Sequence, residues 1–237
     1  MKRAPLITAG ALALALGGAA TAAALGVWMP WADHYTQGVD VSAHQGPIDW
    51  RTLQNAGIRF AYIKATEGSD YVDPRFRANW EDTERVGLYR GAYHYFTLCR
   101  SGADQAANFL HTAPPRSAGT LPPAVDLEHK GPCRHGPTTT DVVGELRAYL
   151  DAVEAGYGAR PILYTTREFH DAHLADFPRE RFWIRSLYTP PDFRRAEWVF
   201  WQHHNMARRP GVNGPVDLDA FRGDERALRA LTQSSTS

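Results

Sequence analysis

From residue 38 onward the chain alternates short apolar segments with helical ones, and this alternation restricts it to a few architectures. Segments 38–42, 59–66, 89–96, 121–128, 161–166, 182–187, 198–203 and 216–221 are rich in aromatic and branched residues and are predicted strands. Helical stretches follow the first five, at 49–56, 74–86, 103–112, 140–155 and 167–175. Gly57 closes the first helix, Pro74 opens the second and Gly87 ends it. In the fourth, Val142, Val143, Leu146, Tyr149, Leu150 and Val153 fall on one face. Strand–helix alternation implies a parallel sheet with right-handed crossovers. Eight strands suggest a closed β/α barrel whose last three units have lost their helices. An open doubly wound sheet is the alternative. No Gly-x-Gly-x-x-Gly follows the first strand, so dinucleotide binding has no support.

The 237 residues suit one catalytic domain, taken as 37–224, followed by a short helix and polar tail over 225–237. Twenty-six basic residues balance 26 acidic ones, so no basic field argues for nucleic acid. Residues 1–30 differ in kind. Lys2 and Arg3 precede an apolar run over 6–28, with small residues around Ala20–Ala24. This reads as a signal peptide or, if uncut, as a membrane anchor, and export follows on either reading. Cys99 and Cys133 each follow a predicted strand end, so both fall in loops at one end of the sheet and are expected to pair. There is no Cys-x-x-Cys, and the ten His show no metal-ligand spacing, so no metal or cofactor is expected.

Asp126 and Glu128 end the fourth strand. Residues two apart share a strand face, which sets their Cα atoms roughly 6.5–7 Å apart. Two carboxyls held that close resist joint ionisation, and such a pair suits glycosidic bond cleavage. Helix capping is the plainer use of two acids at a strand end. Other acids fall at strand ends too: Asp40, Glu67, and Asp217 with Asp219. Barrel active sites lie at the C-terminal strand ends, so four acid-bearing strands favour one shared pocket over separate caps. Tyr62, Tyr93, Tyr95, Tyr164 and Trp201 lie in the same segments, as sugar-stacking platforms or as core.

Gly38-Val-Asp-Val-Ser42, Lys64-Ala-Thr-Glu-Gly68, Gly91-Ala-Tyr-His-Tyr95, Asp126-Leu-Glu128, Pro161-Ile-Leu-Tyr164, Trp201-Gln202 and Val216-Asp217 occur in that order. Together they resemble glycoside hydrolase family 25, the Chalaropsis-type lysozymes, over about residues 38–223. The resemblance implies a modified TIM-like (β/α)5(β)3 barrel. It implies an enzyme that cleaves the β-1,4 bond between N-acetylmuramic acid and N-acetylglucosamine in peptidoglycan strands; a monomer is expected. It also implies roles: Glu128 as general acid, Asp126 as partner of the substrate's 2-acetamido group, Asp40 and Asp217 as positioning acids. Lys64, Glu67, Tyr62, Tyr93, Tyr164 and Trp201 are the substrate-binding candidates. One departure stands out. The family often has Trp-Ile-Ala-x-Tyr on the sixth strand, where this chain has Trp183-Ile-Arg-Ser-Leu-Tyr188. Two alternatives carry different chemistry: a carbohydrate-binding barrel without catalysis, and a chitinase-like hydrolase. The Asp-x-x-Asp-x-Asp-x-Glu run of the latter is absent, because Leu121-Pro-Pro-Ala-Val precedes Asp126.

Overall fold

The computed structural model describes residues 32, 34–129, 133 and 141–233. The expected leader, 1–30, lies outside them, as does the end of the polar tail. Among the described residues no helix is long and apolar enough to cross a membrane.

Nine strands are described: β1 Thr36–Val41, β2 Phe60–Glu67, β3 Tyr71–Val72, β4 Tyr89–Tyr95, β5 Ala124–Leu127, β6 Ile162–Thr165, β7 Phe182–Arg185, β8 Trp198–Ala207 and β9 Val216–Phe221. Eight close a barrel in the order β1-β2-β4-β5-β6-β7-β8-β9, with β9 returning to β1. The short β3, which the sequence pattern does not show, pairs back onto the end of β2.

The final strand departs from the all-parallel expectation. β9 runs antiparallel to both β8 and β1. Only residues 208–215 separate it from β8, too few for the crossover that a parallel strand needs. This reversal places the start of β9 at the rim where the other strands end, and brings Asp217 opposite Asp40.

The helices are α1 Trp50–Asn55, α2 Phe76–Val86, α3 Gly102–Thr112, α4 Val142–Tyr157, α5 Arg167–Phe169 and α6 Glu225–Leu231. Their ends follow local chemistry more closely than hydrophobic periodicity does. The fourth was expected over 140–155. Asp141 instead caps it, accepting from the Gly144 amide at 2.7 Å, and left-handed Gly158 (φ 77°) ends it. The expected helix over 167–175 is one turn of α5 continued by a π-turn, His170–Leu174. Strand five is shorter than expected because Pro122 and Pro123 have no amide hydrogen for the ladder.

Side-chain alternation divides the core in two. On β2, Phe60 and Tyr62 point into the barrel, while Ala61, Ile63 and Ala65 pack outward under the helices. Inside, Tyr62 stacks on Trp183 with ring centroids 4.8 Å apart, and Phe200 closes against both. Each such ring contributes about 1.5–3 kcal/mol by leaving water. Gly91 makes this layer possible, since a Cβ there would lie 2.2 Å from a Tyr62 ring carbon. The barrel interior is thus a packed plug, and the space above it is the site.

Candidate active site

A pocket of about 190 Å³ opens at the C-terminal strand ends. Asp126 and Glu128 enter it from β5, Asp40 from β1 and Asp217 from β9. Tyr93, Tyr95, Tyr164 and Trp183 form aromatic walls. Lys64 and Gln202 supply amine and amide groups.

The floor is a directed hydrogen-bond network. Tyr164 donates its hydroxyl hydrogen to Gln202 Oε1 at 3.0 Å. The other end of that amide, Gln202 Nε2, donates to Asp40 Oδ2 at 2.7 Å. Beneath them Trp183 Nε1 donates to Asp219 Oδ1 at 2.8 Å. Asp40, Asp217 and Asp219 lie close enough for their carboxyls to act on one another, and Asp219 Oδ2 is buried with no hydrogen-bond partner among the described residues. Burial drives all three upward in pKa. Asp40 rises to about 6, the Gln202 bond opposing the burial. Asp217 rises to about 9, with the Asp40 charge adding to burial. Asp219, wholly buried, also rises well above the ordinary carboxylate range.

Asp126 behaves in the same way. Burial first, and the Glu128 charge second, push Asp126 well above its ordinary value. Asp126 Oδ1 is buried and accepts no hydrogen bond from the described residues. Arg185 Nη1 lies 3.5 Å from Glu128 Oε2. The register pairs Asp126 with Tyr95 and Tyr164, so phenol groups flank the acid on both sides.

The other sequence candidates divide by the direction they face. Tyr93 and Tyr164 line the pocket. Lys64 lines it too, held by Glu67 Oε2 at 2.5 Å and lying 4.8 Å from the Tyr95 ring centroid. Glu67 stands behind the lysine and does not itself line the pocket. Two candidates fall elsewhere. Tyr62 is fully buried below the floor, its hydroxyl spent on the Pro122 carbonyl at 3.1 Å. Trp201 is fully buried on the outer face, its indole bonded to the Ser186 carbonyl. The cause is strand parity: Gln202 points inward, so Trp201 points out. His94, between two pocket tyrosines, likewise faces outward between Thr66 and Gln105, and burial pushes it down to about 3.

Trp183, Gln202, Ser42 and His44 belong to the pocket and were not among the sequence candidates. For Trp183 and Gln202, counting every second residue from Arg185 and from Phe200 would have found them. Ser42 and His44 sit on a 3-10 turn, Ala43–Gln45, that no periodicity announces. Cys99 and Cys133 form a disulfide, with Cα atoms 5.8 Å apart. No group of metal-ligating side chains occurs among the described residues. A larger cavity, about 700 Å³, lies at the opposite barrel end beside Pro122, Pro161 and Leu231. The carboxyls that line it, Glu154, Glu180 and Glu197, are paired with Arg160, Arg179 and Arg194.

A closed barrel with acids and aromatics gathered at its C-terminal rim defines a glycoside hydrolase. The chain belongs to glycosyl hydrolases family 25, whose family model matches residues 39–212. It is 35% identical over 217 residues to lysozyme M1 of Streptomyces globisporus, a match that covers 84% of this chain and 72% of that protein. Its fold matches a family 25 glycosyl hydrolase from Bacillus anthracis with a TM-score of 0.77 and 36% identity, covering 85% and 95% of the two chains. The bacterial lysozyme from Streptomyces coelicolor matches with a TM-score of 0.76 and 34% identity, covering 84% and 97%.

Proposed function

We propose that the protein is an exported lysozyme that cleaves the β-1,4 bond between N-acetylmuramic acid and N-acetylglucosamine in peptidoglycan. Glu128 protonates the glycosidic oxygen as the C1–O bond breaks. The substrate's own acetamido oxygen attacks C1, giving a cyclic oxazolinium ion. Water then opens that ion, returning its proton to Glu128, and the anomeric configuration is retained.

The observation that carries this reading is Asp126 Oδ1, a buried carboxyl oxygen of a pocket residue that has no donor among the described residues. An acetamido N–H is the donor it fits. That bond would also place the proton correctly. Asp126 and Glu128 repel each other as anions and so titrate as a pair. An N–H presented to Asp126 favours its ionised form, moving the shared proton to Glu128. The Asp126 carboxylate then faces the positive charge that develops on the acetamido group. Asp40 and Asp217 add carboxyls beside the C1 centre, and the tyrosines and Trp183 offer faces and hydroxyls to the sugar rings.

The basic and then apolar leader supports export to the side of the membrane where peptidoglycan lies. NMR of the first-formed anomer tests the mechanism: retention is expected, and an inverted product rules out acetamido participation. Glu128→Gln is expected to fold and to lose on the order of 10²–10⁴ in turnover on cell walls. Near-parental lysis by that variant removes Glu128 from the acid role.

A further inference from the structure

We propose that Arg185 is a positioning residue for the acid Glu128, and that its charge sets the upper pH limit of turnover. This rests on the general-acid assignment of Glu128.

Arg185 ends β7, two residues beyond Trp183, so both project to the inner side of the rim. Its side chain is 32% exposed, and Nη1 stands 3.5 Å from Glu128 Oε2. Its charge also acts on the Tyr164 hydroxyl. Tyr164 donates to Gln202, and Gln202 to Asp40, so the guanidinium stands beside the head of a chain that crosses the pocket floor. The Tyr164 hydrogen on Gln202 Oε1 sets the amide so that its NH2 faces Asp40. One side chain therefore stands against both the acid and the head of the floor network.

The groups around Glu128 are otherwise carboxyls and phenols. Asp126 faces it along β5, Asp40 from β1 and Asp217 from β9. Tyr95 of β4 and Tyr164 of β6 flank it. Lys64 of β2 is bound to Glu67 and acts on Asp126. Glu168, whose neighbours include Arg185 and His129, lies behind the arginine. In that setting Arg185 favours the ionised acid, opposing the neighbours that favour its proton. The alkaline limb of kcat/KM follows loss of the acid's proton, so the cation holds that limb at lower pH. The contact is partly exposed, so dissolved salt weakens it.

The test is the pH profile of kcat/KM on soluble peptidoglycan fragments for the parent, Arg185→Gln and Arg185→Lys. Arg185→Gln removes the charge and keeps most of the length. Its alkaline limb is expected about 1 pH unit higher than the parent's, and Arg185→Lys is expected to restore the lower limb. Raising the ionic strength about tenfold should move the parent's limb upward and leave that of Arg185→Gln in place. An unmoved limb in a folded Arg185→Gln enzyme overturns the proposal, as does a Lys variant that behaves like the Gln one. The salt series on the parent decides the matter even if a variant fails to fold. Glu128→Gln separates the two readings. If it stays active, the acid assignment fails. If it is inactive and the Arg185→Gln limb is unmoved, only the role of Arg185 fails.

Discussion

At the scale of single residues, chemistry follows the direction in which each side chain points. Tyr62 and Tyr164 are both strand tyrosines of the barrel interior, one layer apart. Tyr164 borders the pocket and begins the relay to Asp40, whereas Tyr62 gives its hydroxyl hydrogen to a main-chain carbonyl beneath it. Tyr62→Phe is therefore expected to lower stability by about 1 kcal/mol, the worth of one buried hydrogen bond, with kcat/KM within about twofold of the parent. Chemical unfolding and steady-state kinetics on the same preparation check both halves. Asp126→Asn makes the opposite case. It keeps the shape of the side chain and removes the charge that would face the oxazolinium ion. Turnover is expected to fall by about 10²–10³, with the melting temperature unchanged or higher. A variant turning over at the parental rate would show that Asp126 does not stabilise the transition state.

At the scale of elements, β9 explains both the site and its cost in stability. Its reversal lines Asp217 up with Asp40 and sets Asp219 one layer lower, opposite Gly38. These acids have folded pKa values raised above the ordinary 3.8, to about 6 for Asp40 and about 9 for Asp217. The folded state thus holds more protons than the unfolded chain across that window. Stability must fall as pH rises from near 4 through about 9, and then level off. Asp219→Asn keeps an acceptor for the Trp183 indole and removes a buried charge. It is expected to melt higher than the parent at about pH 8, with the gain shrinking toward about pH 4, where the parent's acids are protonated. Equal melting curves at both ends would contradict the burial argument. The same strand marks the limit of what the sequence makes legible. Alternation of strand and helix is enough for the barrel, because each apolar segment must be covered and each crossover is long. Strand direction at β9 depends on a connection length that is ambiguous until β8 is seen to extend to Ala207. The acids were legible as rim residues because charge inside an apolar strand needs a reason. Trp201 was misleading because aromatic character says nothing about parity, and only the inward Gln202 beside it decides which way it faces. Ser42 and His44 were not legible because a three-residue turn leaves no period to read.

At the scale of the whole molecule, a chain of zero net charge concentrates carboxyls at one mouth of its barrel, and that mouth must be held together against their repulsion. The disulfide ties together the two segments nearest the acid pair. Cys99 follows the end of β4, which carries Tyr95, and Cys133 follows Glu128 in the connection beyond β5. The bridge spans 34 positions of sequence. Closing a loop of that length removes enough freedom from the unfolded chain to stabilise the fold by about 3–4 kcal/mol. For a domain of this size such a loss lowers the melting temperature by about 10 °C. The Cys99→Ser, Cys133→Ser double variant is expected to melt lower by about that amount, and reductant should bring the parent down to the same value. The effect on catalysis should be separable. Well below both melting points, the double variant is expected to lose a few-fold in kcat, because Glu128 lies on the released segment and proton transfer needs hydrogen-bond distance. A variant that melts lower but turns over at the parental rate would confine the bridge to stability. One that melts with the parent would show that packing of the mouth, rather than the crosslink, holds Glu128 in place.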